Sequence, residues 1–140
     1  MSLDSHLVVA GVPSVTSTSE MLVRFWPRED SCAAARSRIR DFCGTRHLTH
    51  LVDDAELLTS ELVCNAIRRA TSFVTLVATE TEGTLVVGVR SDSSGDLPPA
   101  PDLPEDTDEH GRGLFVVAQI ADNWGFHHHA GATTVWFRLR

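Results

Sequence analysis

The chain has 140 residues, 42% of them hydrophobic and 22% charged, and a formal net charge of −7. That length and balance suit one globular domain with its own core, and the excess acid argues against a direct nucleic-acid partner. All 12 basic residues are arginine, which excludes lysine Schiff-base chemistry, the P-loop phosphate site and the protein-kinase fold with its strand lysine.

Residues 1–19 read as a flexible tail in which Ser14–Ser19 is almost entirely Ser and Thr, although the apolar piece Leu7–Val12 could add an edge strand. Glu20–Trp26 alternates and stops at Pro27, which predicts a strand. Arg28–Phe42 sets Cys32, Ala35, Ile39 and Phe42 on one stripe, predicting a helix that Gly44 stops. Arg36, Arg38 and Arg40 scatter around that helix as a solvated face. Thr49–Ala70 predicts a second helix, capped by Thr49, with Asp53, Asp54 and Glu56 suited to its first turns. Its stripe is Val52, Ala55, Leu58, Leu62, Ala66 and Ala70, with Val63 and Ile67 beside it.

Phe73–Thr79 and Thr84–Arg90 are β-branched, apolar runs around Glu82-Gly83, the pattern of a hairpin. Ser91–His110 holds four of the six prolines and seven acidic residues, a composition expected of a functional lid or a linker. A third helix follows over Leu114–Ala121. A second hairpin, Trp124–His129 and Thr133–Leu139, turns at Ala130-Gly131. This order predicts the α+β class: a two-layer sandwich with a mixed, mostly antiparallel sheet and three main helices on one face.

The three cysteines, Cys32, Cys43 and Cys64, form no close pair, which argues against a disulfide framework or a zinc knuckle and fits a reducing, cytoplasmic setting. The sequence starts without a secretory leader pattern and contains no run of membrane-spanning length.

Three segments carry candidate chemistry. In Glu61-Leu62-Val63-Cys64-Asn65-Ala66, Glu61 and Asn65 project from one helix face, and a carboxylate beside a carboxamide can serve as a base and a hard-metal ligand. Taken alone, the pair also suits a solvated face. In Val87-Gly88-Val89-Arg90-Ser91-Asp92-Ser93-Ser94-Gly95 a strand runs into an Asp, and a strand-end carboxylate can accept a hydrogen bond from an exocyclic amine. Many strands end this way for turn chemistry alone. In His110-Gly111-Arg112-Gly113-Leu114 glycines open a helix whose free N–H groups suit an anion, although Gly-x-Gly is common.

In combination these segments resemble the GHKL (Bergerat-fold) ATPases and kinases. Glu61 to Ala66 is similar to the N-box of that class, Asp92 to Gly95 to its first glycine box, and Gly111 to Leu114 to its second. Ala121-Asp122-Asn123-Trp124-Gly125 and Thr133–Phe137 are similar to the small anti-sigma-factor serine kinases of actinobacterial type. The resemblance covers residues 20–140 as one ATP-binding domain, with an ATP lid at about 92–110.

The resemblance implies ATP and Mg²⁺, with Asn65 holding the metal against the phosphates and Glu61 as general base toward a serine hydroxyl. It implies that Asp92 reads the adenine amine beside Gly95, that the backbone of Gly111, Arg112, Gly113 and Leu114 cradles the phosphates, and that Arg69 lies near them. It implies a sigma factor and an antagonist protein as partners; relatives are often homodimers. Two departures stand out. Arg69 occupies a position where members often carry His. Alternation through Val87 and Val89 also predicts the inward carboxylate at Ser91, one place before Asp92, unless a bulge intervenes. Two readings therefore stay open: an ATP-dependent protein-serine kinase, and a non-catalytic module acting by protein capture.

His127, His128 and His129 suit at most an adventitious metal, because no Cys, Asp or Glu lies nearby in sequence. Cys64 reads as a small buried hydrophobe. Trp26, Trp124 and Trp136 read as core or sheet-face residues.

Overall fold

A computed structural model describes residues 17–92 and 109–140, with residues 109–113 described by backbone alone. The elements are β1 (Thr18–Phe25), α1 (Ser31–Gly44), a 3₁₀ turn (Thr49–Leu51), α2 (Val52–Ile67), β2 (Val74–Thr81), β3 (Thr84–Ser91), α3 (Glu109–Ile120), β4 (Asn123–His129) and β5 (Ala132–Leu139). The described strands form one five-stranded sheet in the order β1-β2-β3-β5-β4. All four pairings among the described residues are antiparallel, and the two-layer α+β sandwich is the architecture expected from the sequence. The first described strand begins at Thr18, inside the stretch read as tail.

Alternation sets which side chains face the helices. Val74, Leu76 and Ala78 of β2 are buried, as are Leu85, Val87 and Val89 of β3 and Phe137 and Leu139 of β5. Register lines them up: Leu76 pairs with Val89, and Val87 pairs with Phe137. Onto this face α1 brings Ala35, Ile39 and Phe42, α2 brings Ala55, Leu58, Leu62 and Val63, and α3 brings Leu114 and Val117. Both hairpins turn through two residues with positive φ, Glu82-Gly83 (49° and 84°) and Ala130-Gly131 (53° and 79°). That geometry matches the twist of the flanking strands and suits Gly at the second position.

Helix ends depart from expectation in three places. The Thr49 cap does not form: Thr49 opens the 3₁₀ turn, and Leu51 stands at the N-cap of α2 with no side-chain cap bond. The α2 helix closes at Ile67, with Arg69 and Ala70 in a turn whose N–H groups donate to the Ala66 carbonyl. The third helix starts at Glu109, so the Gly111–Leu114 segment lies inside its first turns rather than ahead of it. Helix α1 is tied to α2 by Arg40, which grips Glu56 with two hydrogen bonds of 2.9 and 3.0 Å, and by Arg36 to Ser60 at 2.9 Å.

The cysteines also depart from expectation. Cys32 of α1 and Cys64 of α2 form a disulfide, their Cα atoms 5.7 Å apart and 32 residues apart in sequence. Cys43 stays free and buried. Spacing could not show the pair, since only the packing of α1 on α2 brings it together. Trp26 belongs neither to the core nor to the sheet face: it is 57% exposed and lies against the Phe73 ring, centroids 4.2 Å apart. Among the described residues no helix is long and apolar enough to cross a membrane.

Candidate functional site

Few polar side chains are buried among the described residues, and three of them meet at one place. Asn65, Ser91 and Thr133 are 7%, 6% and 2% exposed. Together with Arg69, Leu62, Ala66, Val89 and Val135 they line a recess at the seam between α2 and the sheet. Burying a polar group costs free energy unless it is satisfied, so such a cluster marks a place built for something polar.

Each member has a structural reason to be there. Asn65 follows Leu62 by three residues on α2, which puts its side chain on the face turned to the sheet. Ser91 continues the inward alternation of Leu85, Val87 and Val89. The β3–β5 register places Thr133 directly opposite Ser91. Oγ1 of Thr133 shares a 2.9 Å hydrogen bond with Nδ1 of His128 on β4, which joins the recess to the edge of the sheet. Glu61 stands one turn before Asn65, partly exposed, and does not line the recess.

Asp92 lies elsewhere. The ladder runs unbroken through Ser91, with no bulge to carry Asp92 inward. Its Oδ2 accepts a 2.6 Å hydrogen bond from the Thr71 hydroxyl, and its Oδ1 accepts from the N–H groups of Thr71 and Ser72 at 3.1 and 3.3 Å. The Thr71 hydroxyl, chiefly, holds this carboxyl below the usual aspartate range, with the backbone N–H donors adding to it and partial burial opposing. Asp92 lines an open depression of about 380 Å³ with Ser91, Arg24, Phe73 and Arg90. Arg24 lies 4.0 Å over the Phe73 ring there.

Gly95 and the stretch 93–108, the bulk of the expected lid, lie outside the described residues, as does the Arg112 side chain. The backbone of Gly111 falls in the first turn of α3, where the N–H groups have no intrahelical partners, whereas the N–H groups of Gly113 and Leu114 lie where the helix pairs them with carbonyls four residues earlier. Sequence reasoning missed Thr133. Its signal was the second hairpin, whose register against β3 could be read only by counting from both turns.

Residues 25–139 match the family model described as a histidine kinase-like ATPase domain. The chain belongs to the histidine kinase-like ATPase family. It is the GHKL type that the N-box and glycine segments resembled. Thirteen chains of solved structures match it. One of them holds the RsbU and RsbW domains of Rv1364c from Mycobacterium tuberculosis, at 18% identity and a TM-score of 0.67, over 87% of this chain and 32% of that one. At that identity the likeness is one of fold, and this chain spans about a third of that chain's length. No curated protein matches the chain in sequence.

Membership in this ATPase family implies ATP, and the donor types present suit a magnesium nucleotide. Asn65 offers a hard amide oxygen, Arg69 a cation, and the start of α3 a set of N–H donors. Magnesium keeps several waters and takes its other ligands from phosphate, so one carboxamide in the recess is a sufficient protein contribution.

Proposed function

We propose that this domain is an ATP-dependent protein-serine kinase that regulates transcription by binding partner proteins. The observation that carries the reading is the burial of Asn65 in a recess at the helix–sheet seam that it shares with Ser91 and Thr133, inside a chain of the ATPase family. Asn65 would hold Mg²⁺ beside the phosphates, and the metal would supply neutralisation of the phosphate charge. The start of α3, at Gly111, would bind phosphate oxygens through its free backbone N–H groups, Gly113 and Leu114 would let the phosphates approach the helix closely, and Arg112 and Arg69 would add positive charge.

Glu61, partly exposed one turn away, would meet an acceptor serine from outside. Its carboxylate takes the hydroxyl proton as the serine oxygen bonds to the γ-phosphorus, the bond from that phosphorus to the bridging oxygen breaks, and ADP leaves. Phosphoryl transfer needs positioning and charge neutralisation more than covalent participation by the protein, and a metal ligand, a base and an anion-binding helix end meet that need. The partners in this reading are a sigma factor and an antagonist protein that carries the acceptor serine. The cytoplasm is the setting it requires, a homodimer is one assembly open to it, and residues 20–140 act as the catalytic unit.

A second reading is favoured by the position of Asp92, whose carboxylate is bonded to Thr71 rather than turned to the recess. On that reading the domain captures partners without phosphorylating them. Calorimetric titration of MgATP into the full chain, with Asn65→Ala beside it, tests the nucleotide site. Micromolar, Mg²⁺-dependent binding that Asn65→Ala removes is the expected result; folded wild-type protein that binds no nucleotide would leave only the capture reading.

A further inference from the structure

Three side-chain links join α1 to α2, in opposite order along the two helices. Arg40 meets Glu56, Arg36 meets Ser60, and Cys32 is bonded to Cys64. Each step of four residues forward on α1 is a step of four back on α2, so the links form one seam with a rung at every turn. Two rungs are hydrogen bonds and the third is covalent. The covalent rung stands at the end nearest the recess. Cys64 precedes Asn65, which is buried there, and falls in the last turn of α2, which closes at Ile67.

A helix end is where backbone bonds open most easily. The Arg68 N–H reaches the Cys64 carbonyl at 3.3 Å, and the Arg69 and Ala70 N–H groups share the Ala66 carbonyl at 3.1 and 3.0 Å. Past them, Thr71 and Ser72 are fastened to Asp92. The segment that carries Asn65 is thus held to α1 by the disulfide and to the sheet by Asp92. Opening the disulfide removes the first hold. The next rung, Arg36 to Ser60, is a hydrogen bond at a partly exposed site and contributes less than a cross-link.

Cys32 and Cys64 are each partly exposed, whereas Cys43 is buried. Solution thiols therefore reach the bridge and not the third cysteine. In the cytoplasmic setting that the kinase reading requires, such thiols keep disulfides rare, and those that form are mostly transient or redox-sensing. We propose that Cys32 and Cys64 form a reversible thiol–disulfide exchange site, and that closing the bridge orders the end of α2 and so tightens the recess toward nucleotide. The consequence for nucleotide rests on the reading of the recess as a nucleotide site. The co-reactant is a low-molecular-weight thiol of the glutathione class. Its thiolate sulfur bonds to Sγ of one cysteine as the Sγ–Sγ bond breaks, and the other cysteine leaves as a thiolate that takes a proton. A second small thiol then attacks the mixed disulfide, which frees the first cysteine as a thiol and releases the small disulfide. Two protein sulfurs are reduced and two small thiols are oxidised; the reverse sequence closes the bridge.

The test uses the full chain in oxidised form, in reduced form, and as Cys32→Ser under reductant. Intact mass after alkylation should show the bridge opening in millimolar reduced glutathione and closing again in oxidised glutathione; a bridge that stays closed in folded protein overturns the proposal. Hydrogen exchange should speed up by about tenfold or more for the amides of Asn65 to Ala70 on reduction, and clearly less around Glu56. Unchanged exchange at Asn65 to Ala70 overturns the ordering, as does an equal acceleration all along α2, which marks a general loss of stability. Cys32→Ser should match the reduced wild type and ignore oxidant; if it fails to fold, the two wild-type forms still decide. By calorimetry the oxidised form should bind MgATP at least about fivefold more tightly than the reduced form, and saturating MgATP should shift the glutathione equilibrium toward the bridge by the same factor. Equal affinity of the two forms overturns the coupling to the site. Binding of nucleotide by neither form, with the exchange difference present, supports the switch and removes the nucleotide reading instead.

Discussion

The Thr71 hydroxyl donates to Oδ2 of Asp92 at 2.6 Å, and this bond fastens the turn after α2 to the end of β3. Thr71 follows the helix that carries Asn65, and Asp92 follows the strand residue that faces the recess. The pair therefore holds two walls of the site at their common end while taking the carboxylate away from it.

Asp92→Ala should cost about 1 kcal/mol of stability at neutral pH, because hydrogen bonds at a partly exposed site contribute modestly. The folded carboxyl lies below its ordinary range, chiefly through the Thr71 hydroxyl. Its contribution is therefore fully present above the unfolded aspartate value of about 3.9 and is lost as pH falls through the lower folded value. Urea titrations of wild type and Asp92→Ala from pH 7 to pH 3 should show a constant gap that closes at the acid end. A variant of unchanged stability that loses MgATP would put Asp92 in the site instead.

Glu61→Gln keeps the shape of the side chain but cannot take a proton at neutral pH. Phosphoryl transfer to a cognate acceptor should fall by about 10²–10⁴-fold while MgATP affinity stays within about threefold of wild type. Single-turnover transfer with radiolabelled ATP reads the first quantity and calorimetry the second. Transfer at the wild-type rate would remove Glu61 as the base.

The two glycines inside the sheet should respond oppositely to alanine. A Cβ on Gly125 would lie 3.0 Å from Cζ2 and 3.1 Å from Cε2 of Trp136, so the indole must shift. On Gly88 the nearest atom would be Cγ2 of Thr134 at 3.7 Å, an ordinary contact. Gly125→Ala should cost about 1–2 kcal/mol by overpacking, and Gly88→Ala should be neutral or stabilising by up to about 1 kcal/mol. Urea midpoints measured side by side decide the ordering.

Thiol labelling should separate the cysteines. Burial, with a smaller effect from Glu56 and partial opposition from Arg46, pushes the Cys43 thiol up to about 11, so it carries almost no thiolate at pH 8. The native oxidised chain should resist iodoacetamide, the denatured chain should take one label, and the denatured, reduced chain three, as its cysteine count allows. Intact mass reads each state. Replacing Cys64 by Ser should cost about 2–4 kcal/mol under oxidising conditions, since the cross-link closes a long loop.

The sequence by itself determined the class of this domain. Stripes of Ala35, Ile39 and Phe42, and of Ala55, Leu58 and Leu62, required helices packed on one face. Alternation at Val87 and Val89 and the turn residues Gly83 and Gly131 required hairpins. The order of the N-box and glycine segments pointed to the ATPase family. These features are local or periodic, so they survive in one dimension. What only the tertiary structure decided depends on pairing across distance. The disulfide of Cys32 with Cys64 needs α1 laid on α2. The Ser91–Thr133 pair needs the register between β3 and β5. The capture of Asp92 by Thr71 needs the end of α2 brought beside the end of β3. A single residue of register separates a carboxylate that faces the recess from one that faces solvent, because successive strand side chains point to opposite sides. In this chain the inward position falls to Ser91, which puts a hydroxyl where a carboxylate was expected.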